Sequence, residues 1–314
     1  MTTVRGAIGS DEELASSGNL RGSQRLALVL LLGPLLPLLG ACSAERRADP
    51  DELVVLLPRD VQELDPRFVS DAYGLKISRL LFASLVTIDP ATLEVMPDLA
   101  ERVDVVSPSE YRIVLRAGLT FSDGSVLDAD DVVATYRSVV DPALATRYAP
   151  SYQRIASLQA LDARTVVFRL DGPHATFLTD LELPILRAED AKRHLGVLGA
   201  AEPIGAGPYR LAQRVAGRLT LRANSRWYAG KPKFPKLRML VVRDDNIRTL
   251  RMLSGAGDLT LNGIPSLLLP LFAHGGFEVS SARGTGTTYM GVNTQAGPLA
   301  DVRVRQAIAH AIDR

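Results

Sequence analysis

Residues 53–57 read LVVLL and are followed at once by Pro58. Five consecutive apolar residues are typical of a β-strand that is covered on both faces, as strands are in parallel and mixed sheets. Because proline lacks the backbone N–H that a sheet requires, Pro58 marks the end of the strand. This stretch therefore predicts an α/β core.

Downstream of this strand the apolar pattern changes twice. Residues 74–86 carry leucines at near-helical spacing and predict a helix that closes at Asp89-Pro90. Apolar residues then alternate at 111, 113 and 115 and again at 166, 168 and 170, which is typical of half-buried strands. Between these strands, Asp128 is placed to cap a helix whose first turn carries Asp130 and Asp131.

From about Pro203 the pattern returns to that of the opening. Short strands are predicted at 219–221, 237–241 and 289–293, with a helix at 248–253. Asp301 precedes an amphipathic helix whose apolar residues recur at i, i+3, i+4, i+7 and i+8.

The segment before the core resembles an export signal. Residues 26–44 read LALVLLLGPLLPLLGACSA, carry no charge and follow Arg21 and Arg25, in the order of a signal peptide. A membrane-spanning helix is the alternative, since about twenty apolar residues can cross a bilayer. Two prolines and two glycines interrupt the segment and favour the signal. Residues 1–24 are long and acidic for the start of a signal, which leaves the translation start open.

The signal ends in Leu39-Gly40-Ala41-Cys42, which resembles the cleavage site of a bacterial lipoprotein. Cys42 is the single cysteine of the chain, and a buried small hydrophobe is the alternative interpretation of such a residue. Its place at the end of the apolar segment favours lipidation. We therefore predict that residues 1–41 are removed and that acyl chains on Cys42 anchor an exported domain, periplasmic or on the cell surface, to a membrane.

Composition excludes several classes of protein. The chain has 314 residues, 46% of them hydrophobic and 23% charged, which is enough for one or two cores. Its 36 basic and 35 acidic residues provide no net field for a polyanion, so a nucleic-acid partner is not expected. One cysteine and four scattered histidines offer no metal site, and we predict neither metal nor cofactor.

Catalytic motifs are not recognisable either. The adjacent carboxylates at 130–131 and 244–245 point about a hundred degrees apart on a helix and have a structural explanation at helix starts. Residues 205–207, Gly-Ala-Gly, lack the further residues of a dinucleotide or P-loop motif and indicate a turn. The sequence thus favours a protein that is not an enzyme.

Several segments, taken in order, resemble the family 5 extracellular solute-binding proteins of ABC importers, the dipeptide-, oligopeptide- and nickel-binding group. Two positions depart from the usual pattern: Ala206 stands where threonine is usual, and Ser122 where histidine is common. The matching segments are 64–66 (LDP), 96–100 (MPDLA), 111–124 (YRIVLRAGLTFSDG), 129–132 (ADDV), 203–209 (PIGAGPY), 224–232, 254–259 (SGAGDL), 289–293 and 301–314.

The resemblance implies a periplasmic-binding-protein-like type II fold with two α/β lobes. It places the first lobe at 42–75 and 187–288, with an inserted α+β subdomain at 76–186. Residues 289–314 would begin the second lobe, which in the family continues for roughly two hundred residues more. The chain therefore resembles a family member whose second lobe is mostly absent.

The resemblance also implies function. A peptide, dipeptide or related solute would be held between the lobes and delivered to ABC permease subunits and, through them, to the ATPase. Ligand-binding candidates in the first lobe are Asn262, Tyr289, Met290 and Asn293, with Phe68 and Tyr73 as weaker ones. A turn-capping asparagine and packed aromatics are the alternative interpretations of these residues.

Other classes of function remain open at this point: an exported stand-alone hydrolase, an interaction domain, or a truncated relic without function. The sequence does not choose between a dipeptide, an oligopeptide, a nickel chelate or another solute. It also leaves open which membrane would carry the anchor.

Overall fold

The computed structural model describes residues 2–6, 49–195, 202–274, 276–281 and 289–313. The chain forms two compact units, Thr2–Ser280 and Ser281–Arg314. Cys42 and the apolar segment 26–44 lie outside the described residues. The predicted signal peptide and lipidation therefore stay predictions.

The first unit combines strands with short helices. Its strands are β1 (Thr2–Gly6), β2 (Glu52–Leu57), β3 (Val86–Ile88), β4 (Val95–Pro97), β5 (Ala100–Ser107), β6 (Glu110–Leu115), β7 (Ile155–Asp162), β8 (Thr165–Leu170), β9 (Tyr209–Val215), β10 (Arg218–Ala223), β11 (Lys236–Val241), β12 (Leu259–Leu261) and β13 (Phe277–Ser281). Its α-helices are α1 (Ala72–Leu81), α2 (Ala129–Val139), α3 (Ala149–Tyr152), α4 (Phe177–Asp180) and α5 (Asp245–Leu253), and a 3₁₀ helix spans Ser266–Phe272.

Strand β2 lies inside a seven-stranded mixed sheet with the order β13-β1-β12-β2-β11-β10-β9. It pairs in parallel with β11, where Leu53 lies opposite Leu237, and in parallel with β12, where Leu56 lies opposite Thr260. The prediction of a parallel strand in an α/β core is confirmed. Strand β1, which falls in the predicted signal range, pairs antiparallel with β12.

Both faces of β2 are covered, as its continuous apolar sequence predicts. Val55 and Leu57 pack with residues of α1 in one core cluster. Val54 and Leu56 pack on the other side in a second cluster that includes Met252 of α5. Strand β2 therefore joins two cores, and a polar residue at any of these positions would be buried without a partner.

A four-stranded antiparallel sheet, β5-β6-β8-β7, builds a third core with α2. In β6, Tyr111, Ile113 and Leu115 are buried, so the predicted alternation is confirmed. Tyr136 of α2 meets the ring of Phe168 edge-on, with 4.9 Å between the ring centroids. This core draws its residues from 83 to 206, and the insert boundaries at 76 and 186 stay predictions.

Helix α2 begins as predicted at Asp128. The Asp128 carboxylate accepts a hydrogen bond from the backbone N–H of Asp130, and the Asp131 carboxylate accepts one from the N–H of Asp128, which closes a capping box. Asp131 also accepts from the N–H of Ala188. Burial raises the pKa of Asp131, and these backbone hydrogen bonds offset part of the shift. The carboxylate is therefore part of the helix start.

The prediction of one helix over 74–86 is wrong in its second half. Helix α1 ends at Leu81, Phe82 is extended, and strand β3 begins at Val86. The cause is tertiary, because the N–H of Gly207 donates to the carbonyl of Leu81 at 3.0 Å. A Cβ on Gly205 would lie 2.1 Å from the same oxygen, so only glycine permits this approach. The Gly-Ala-Gly segment is thus a packed turn.

A buried ion pair anchors the loop that contains the Leu64-Asp65-Pro66 segment. Asp65 and Arg67 are both fully buried, and their side chains form two parallel hydrogen bonds of 2.9 and 2.6 Å. The other three guanidinium N–H groups donate hydrogen bonds to the Ser138 hydroxyl and to the carbonyls of Ala191 and Arg193. All five donors of Arg67 are therefore satisfied, and the loop is tied to α2 and to residues 191–193.

The second unit contains a 3₁₀ turn, Pro298–Ala300, and the helix α6, Val302–Ala311, which Asp301 caps as predicted. None of the residues of α6 is buried, and of its apolar stripe Val304 and Ile308 are half-buried while Ala307, Ala311 and Ile312 are exposed. Residues 289–293 form no strand, and that prediction is wrong. A β-strand is defined by backbone hydrogen bonds to a neighbouring strand, and within the described part of the chain residues 289–293 are assigned no such pairing.

Candidate functional site

The ends of the parallel strands define the candidate site. Strands β2, β11 and β12 run in the same direction, so Pro58, Val242 and Asn262, which follow them, lie along one edge of the sheet. We call it the carboxyl edge. In open α/β sheets, ligands bind outside this edge because the loops that follow the strands meet there.

Tyr73 connects helix α1 to this edge. The Asp71 carboxylate caps the helix by accepting from the N–H groups of Tyr73 and Gly74. This cap brings the half-buried Tyr73 ring to β12, where its hydroxyl donates to the carbonyl of Leu261 at 3.1 Å. Burial raises the pKa of the phenol above its ordinary value, and Arg248 and Arg59 offset part of the shift. The hydroxyl stays protonated at neutral pH and keeps its lone pairs for a ligand donor.

Asn262 follows β12 directly and has a φ of +51°, in the left-handed region. Asparagine tolerates this conformation better than most residues. A Cβ on the next residue, Gly263, would lie 2.2 Å from the Thr260 hydroxyl oxygen, which itself donates to the carbonyl of Leu56 at 3.0 Å. The turn is therefore tightly packed against the sheet, while the Asn262 side chain is exposed.

Arg248 holds the loops of the carboxyl edge together, and no sequence pattern predicted this role. Only 2% of its surface is exposed, although it lies on a helix identified from sequence. Its guanidinium donates to the carbonyls of Val242, Arg243 and Gly263 and pairs with Asp245. Arg248 thus joins the loop after β11 to the turn after β12. No periodic signal marks it, because a buried arginine and a surface arginine look alike in sequence.

The other aromatic candidate of the first unit has a packing contact. Phe68 is half-buried and stacks on the ring of His194, with 3.9 Å between the centroids and 27° between the planes. His194 in turn contacts the Glu63 carboxylate at 2.7 Å. The alternative interpretation of Phe68 as a packed aromatic therefore has direct structural support.

Tyr289, Met290 and Asn293 lie in the second unit. The first two are 85% and 59% exposed, and the Asn293 side chain accepts a hydrogen bond from the N–H of Gln295 at 2.9 Å. The structure brings Tyr73 and Asn262 to one edge, and the role of the three residues of the second unit stays a prediction.

The requirements of a metal site and of a membrane span are not met within the described residues. In the described ranges, no group of three or more His, Cys, Asp or Glu side chains is placed to hold a metal ion. No helix in these ranges is long and apolar enough to cross a membrane. The adjacent carboxylates of α5 are used locally, since Asp244 caps the helix and Asp245 pairs with Arg248.

A mixed sheet with polar groups gathered at its carboxyl edge is the architecture of a ligand-binding α/β protein. Comparison with known proteins gives the particular group. Residues 94–314 match the model of the bacterial extracellular solute-binding proteins, family 5 Middle, and the chain belongs to this family. It has the type II periplasmic-binding-protein fold that the resemblance implies.

Individual relatives agree with the family. The chain is 32% identical to Di/tripeptide-binding protein 4 of Pseudomonas aeruginosa over 68% of its own length, and 29% identical to Di/tripeptide-binding protein 2 of the same organism over 89%. It covers 45% and 58% of those two proteins, so it spans about half the length of these relatives. The murein tripeptide binding protein MppA of Escherichia coli matches 84% of this chain with a TM-score of 0.75 at 25% identity, and 56% of MppA is covered.

Proposed function

We propose that this chain is the substrate-binding component of an ABC importer and that it binds a peptide or a related small solute. Family membership carries the proposal. The names of the two Pseudomonas relatives and of MppA support a di- or tripeptide as the ligand.

The carboxyl edge offers groups that suit a peptide backbone. The Tyr73 hydroxyl donates a hydrogen bond to the carbonyl of Leu261. The lone pairs of its oxygen can therefore accept a hydrogen bond from a ligand N–H. The Asn262 side chain contains both a donor and an acceptor, as a peptide unit does. Contacts to backbone atoms would allow side chains of different sizes, which fits a carrier of several peptides.

Delivery requires that the permease distinguish the ligand-bound protein from the ligand-free protein. A ligand that contacts two lobes stabilises the closed arrangement by its differential contacts, and the permease recognises that arrangement. In this proposal Tyr73 and Asn262 form the first-lobe half of the site, while Tyr289, Met290 and Asn293 lie where the chain enters the second lobe.

The export route forms the second part of the proposal. The signal would be cleaved before Cys42, and acyl chains on Cys42 would hold the domain at the membrane, close to the permease subunits and their ATPase. Labelling with a radioactive fatty acid tests this step in the bacterium. Label is expected in the wild-type protein and not in Cys42→Ser, and label in both proteins would contradict the assignment.

Peptide binding is tested by thermal unfolding with a panel of di- and tripeptides. A ligand at about 100 times its dissociation constant stabilises the folded state by about 2.7 kcal/mol, which raises the Tm measurably. We expect Tyr73→Phe to reduce the Tm shift.

Tyr209→Phe is the matched control, because the Tyr209 hydroxyl also donates to a backbone carbonyl, that of Phe234, at 3.1 Å. Both variants lose one hydrogen bond of equal length, but only Tyr73 lies at the carboxyl edge. If no peptide shifts the Tm, or if the two variants respond equally, the proposed site is wrong.

A further inference from the structure

The opposite edge of the seven-stranded sheet carries a row of cations. Arg210 of β9 lies directly opposite Arg222 of β10, and Arg222 lies opposite Lys236 of β11. Lys236 lies opposite Glu52 at the start of β2. Residues directly opposite each other in a sheet share a face, so these four side chains form one row across four strands.

Glu52 neutralises only part of the row. Glu52 is buried and contacts both Lys236, at 3.0 Å, and Arg238, at 2.9 Å. Arg210 and Arg222 are exposed, and neither forms an ion pair with a described residue. Two like charges directly opposite each other destabilise a sheet, so this arrangement is costly unless an anion lies on it.

The connection between β10 and β11 extends the charge. Residues 231–238 read KPKFPKLR, and Lys231 and Lys233 are exposed. Because this connection enters β11 at its amino end, both lysines lie at the same edge as the row. We call Arg210, Arg222, Lys231, Lys233, Lys236 and Arg238 the basic edge. Lys236 and Arg238 pair with the Glu52 carboxylate, the Asp258 carboxylate accepts from the N–H of Val54, and Glu278 lines the same pocket as Lys233. Arg210, Arg222, Lys231 and Lys233 are the exposed cations of this edge.

We propose that the basic edge docks on the anionic phospholipid headgroups of the membrane to which the chain is anchored, an inference that relies on the proposed lipid anchor. Clustered Lys and Arg side chains bind anionic leaflets. Phe234 lies among the lysines and is half-buried, which suits the interfacial region where aromatic rings lie.

The position of the anchor favours a membrane over an acidic protein as the partner. Cys42 precedes Glu52 by ten residues, which span at most about 35 Å when extended. A tether from Cys42 would therefore reach the fold at Glu52, beside the basic edge. An acidic protein would find no such constraint at this edge.

The consequence is a defined orientation. The basic edge lies at the amino ends of the parallel strands, and Tyr73 and Asn262 lie at their carboxyl ends. Docking by the basic edge would hold the carboxyl edge away from the lipid and accessible to solute, and the tethered domain would release this contact to deliver the solute to the permease. Since the contact is electrostatic, it weakens as salt is added.

Vesicle co-sedimentation tests the inference with the Cys42→Ser chain, so that neither lipidation nor peptide binding is needed. Binding is measured to mixed phosphatidylglycerol–phosphatidylcholine vesicles and to pure phosphatidylcholine vesicles, and the first value is divided by the second. Because the apolar segment 26–44 is present in both measurements, this ratio reports the effect of charge. Each cation at an anionic leaflet strengthens binding about fivefold, so Arg210→Gln/Arg222→Gln is expected to reduce the ratio about 25-fold. Arg210→Lys/Arg222→Lys is expected to retain it.

Arg112→Gln/Arg218→Gln is the matched control. Both arginines are exposed, and Arg218 lies at the other end of the same strand as Arg222. The control is expected to keep the wild-type ratio. The inference is overturned if the wild-type chain shows no preference for phosphatidylglycerol, if the preference survives in Arg210→Gln/Arg222→Gln, or if the control loses as much. Each of these outcomes leaves the peptide site untouched.

Discussion

Replacing Arg67 by methionine should destabilise the first unit more than any surface change. Methionine retains the length of the side chain and removes all five guanidinium donors. Asp65 then stays fully buried as a carboxylate without its cation, although the N–H groups of Arg67 and Leu195 still donate to it. Removing one partner of a buried ion pair costs about 3–5 kcal/mol, and we expect Arg67→Met to lower the free energy of unfolding by that amount.

The chain offers a closely matched control. Arg102 and Asp104 are also two residues apart, and their side chains contact each other at 2.8 Å, but 62% of the Arg102 side chain is exposed. An exposed pair contributes at most about 1 kcal/mol, so Arg102→Met should have little effect. Urea unfolding followed by circular dichroism measures both variants under identical conditions.

The double variant Asp65→Asn/Arg67→Met distinguishes the cost of losing the Arg67 hydrogen bonds from the cost of leaving the Asp65 charge uncompensated. Because asparagine is neutral, the double variant should be more stable than Arg67→Met alone by about 1–2 kcal/mol. The argument fails if Arg67→Met costs no more than Arg102→Met. It also fails if the effects of the two substitutions at 65 and 67 simply add.

Three further outcomes are expected from contacts within the first unit. A Cβ on Gly207 would lie 2.6 Å from the carbonyl carbon of Leu81, so Gly207→Ala should cost about 1–3 kcal/mol, while Gly172→Ala, whose nearest neighbour would be 3.7 Å away, should leave the Tm unchanged. Arg248→Lys keeps the positive charge but loses the planar guanidinium that donates to the carbonyls of both Val242 and Gly263, so amide hydrogen exchange at residues 260–264 should accelerate. Arg251→Lys, at an exposed position on the same helix, should leave that exchange rate unchanged. Burial raises the pKa of Asp180, so the folded state holds this proton more tightly than the unfolded state does, and wild-type stability should fall as pH rises from about 4 towards the raised pKa. Asp180→Asn should show a smaller fall in Tm over the same range, and identical pH profiles would contradict the assignment.

Local patterns in the sequence predicted much of the secondary structure, for identifiable reasons. The alternation at 111–115 and the capping position of Asp128 depend on residues within one turn or one strand, so neighbours in sequence suffice. The end of α1 at Leu81 could not be found in this way, because the residue that blocks continuation is Gly207, far along the chain.

The candidate site likewise combines residues that the sequence predicted with contacts that only the tertiary structure reveals. Asn262 and Tyr73 were proposed through family resemblance, and the structure connects them through the Leu261 carbonyl next to Asn262. Arg248 had no sequence signal, since its role depends on carbonyl oxygens from two separate loops. Phe68 was proposed as a ligand residue, and its stacking on His194 depends on a contact that local patterns do not encode.

The sequence by itself determined the α/β class, the apolar strand at 53–57, the helix caps and the family, because each is written in neighbouring residues or in the order of short motifs. Tertiary structure alone decided which charged residues are buried, where α1 stops, and which cations lie side by side. These features depend on contacts between residues that are distant in sequence. Arg67 and Arg210 are both arginines preceded or followed by apolar residues, yet one is enclosed with all its donors satisfied and the other faces solvent opposite a like charge.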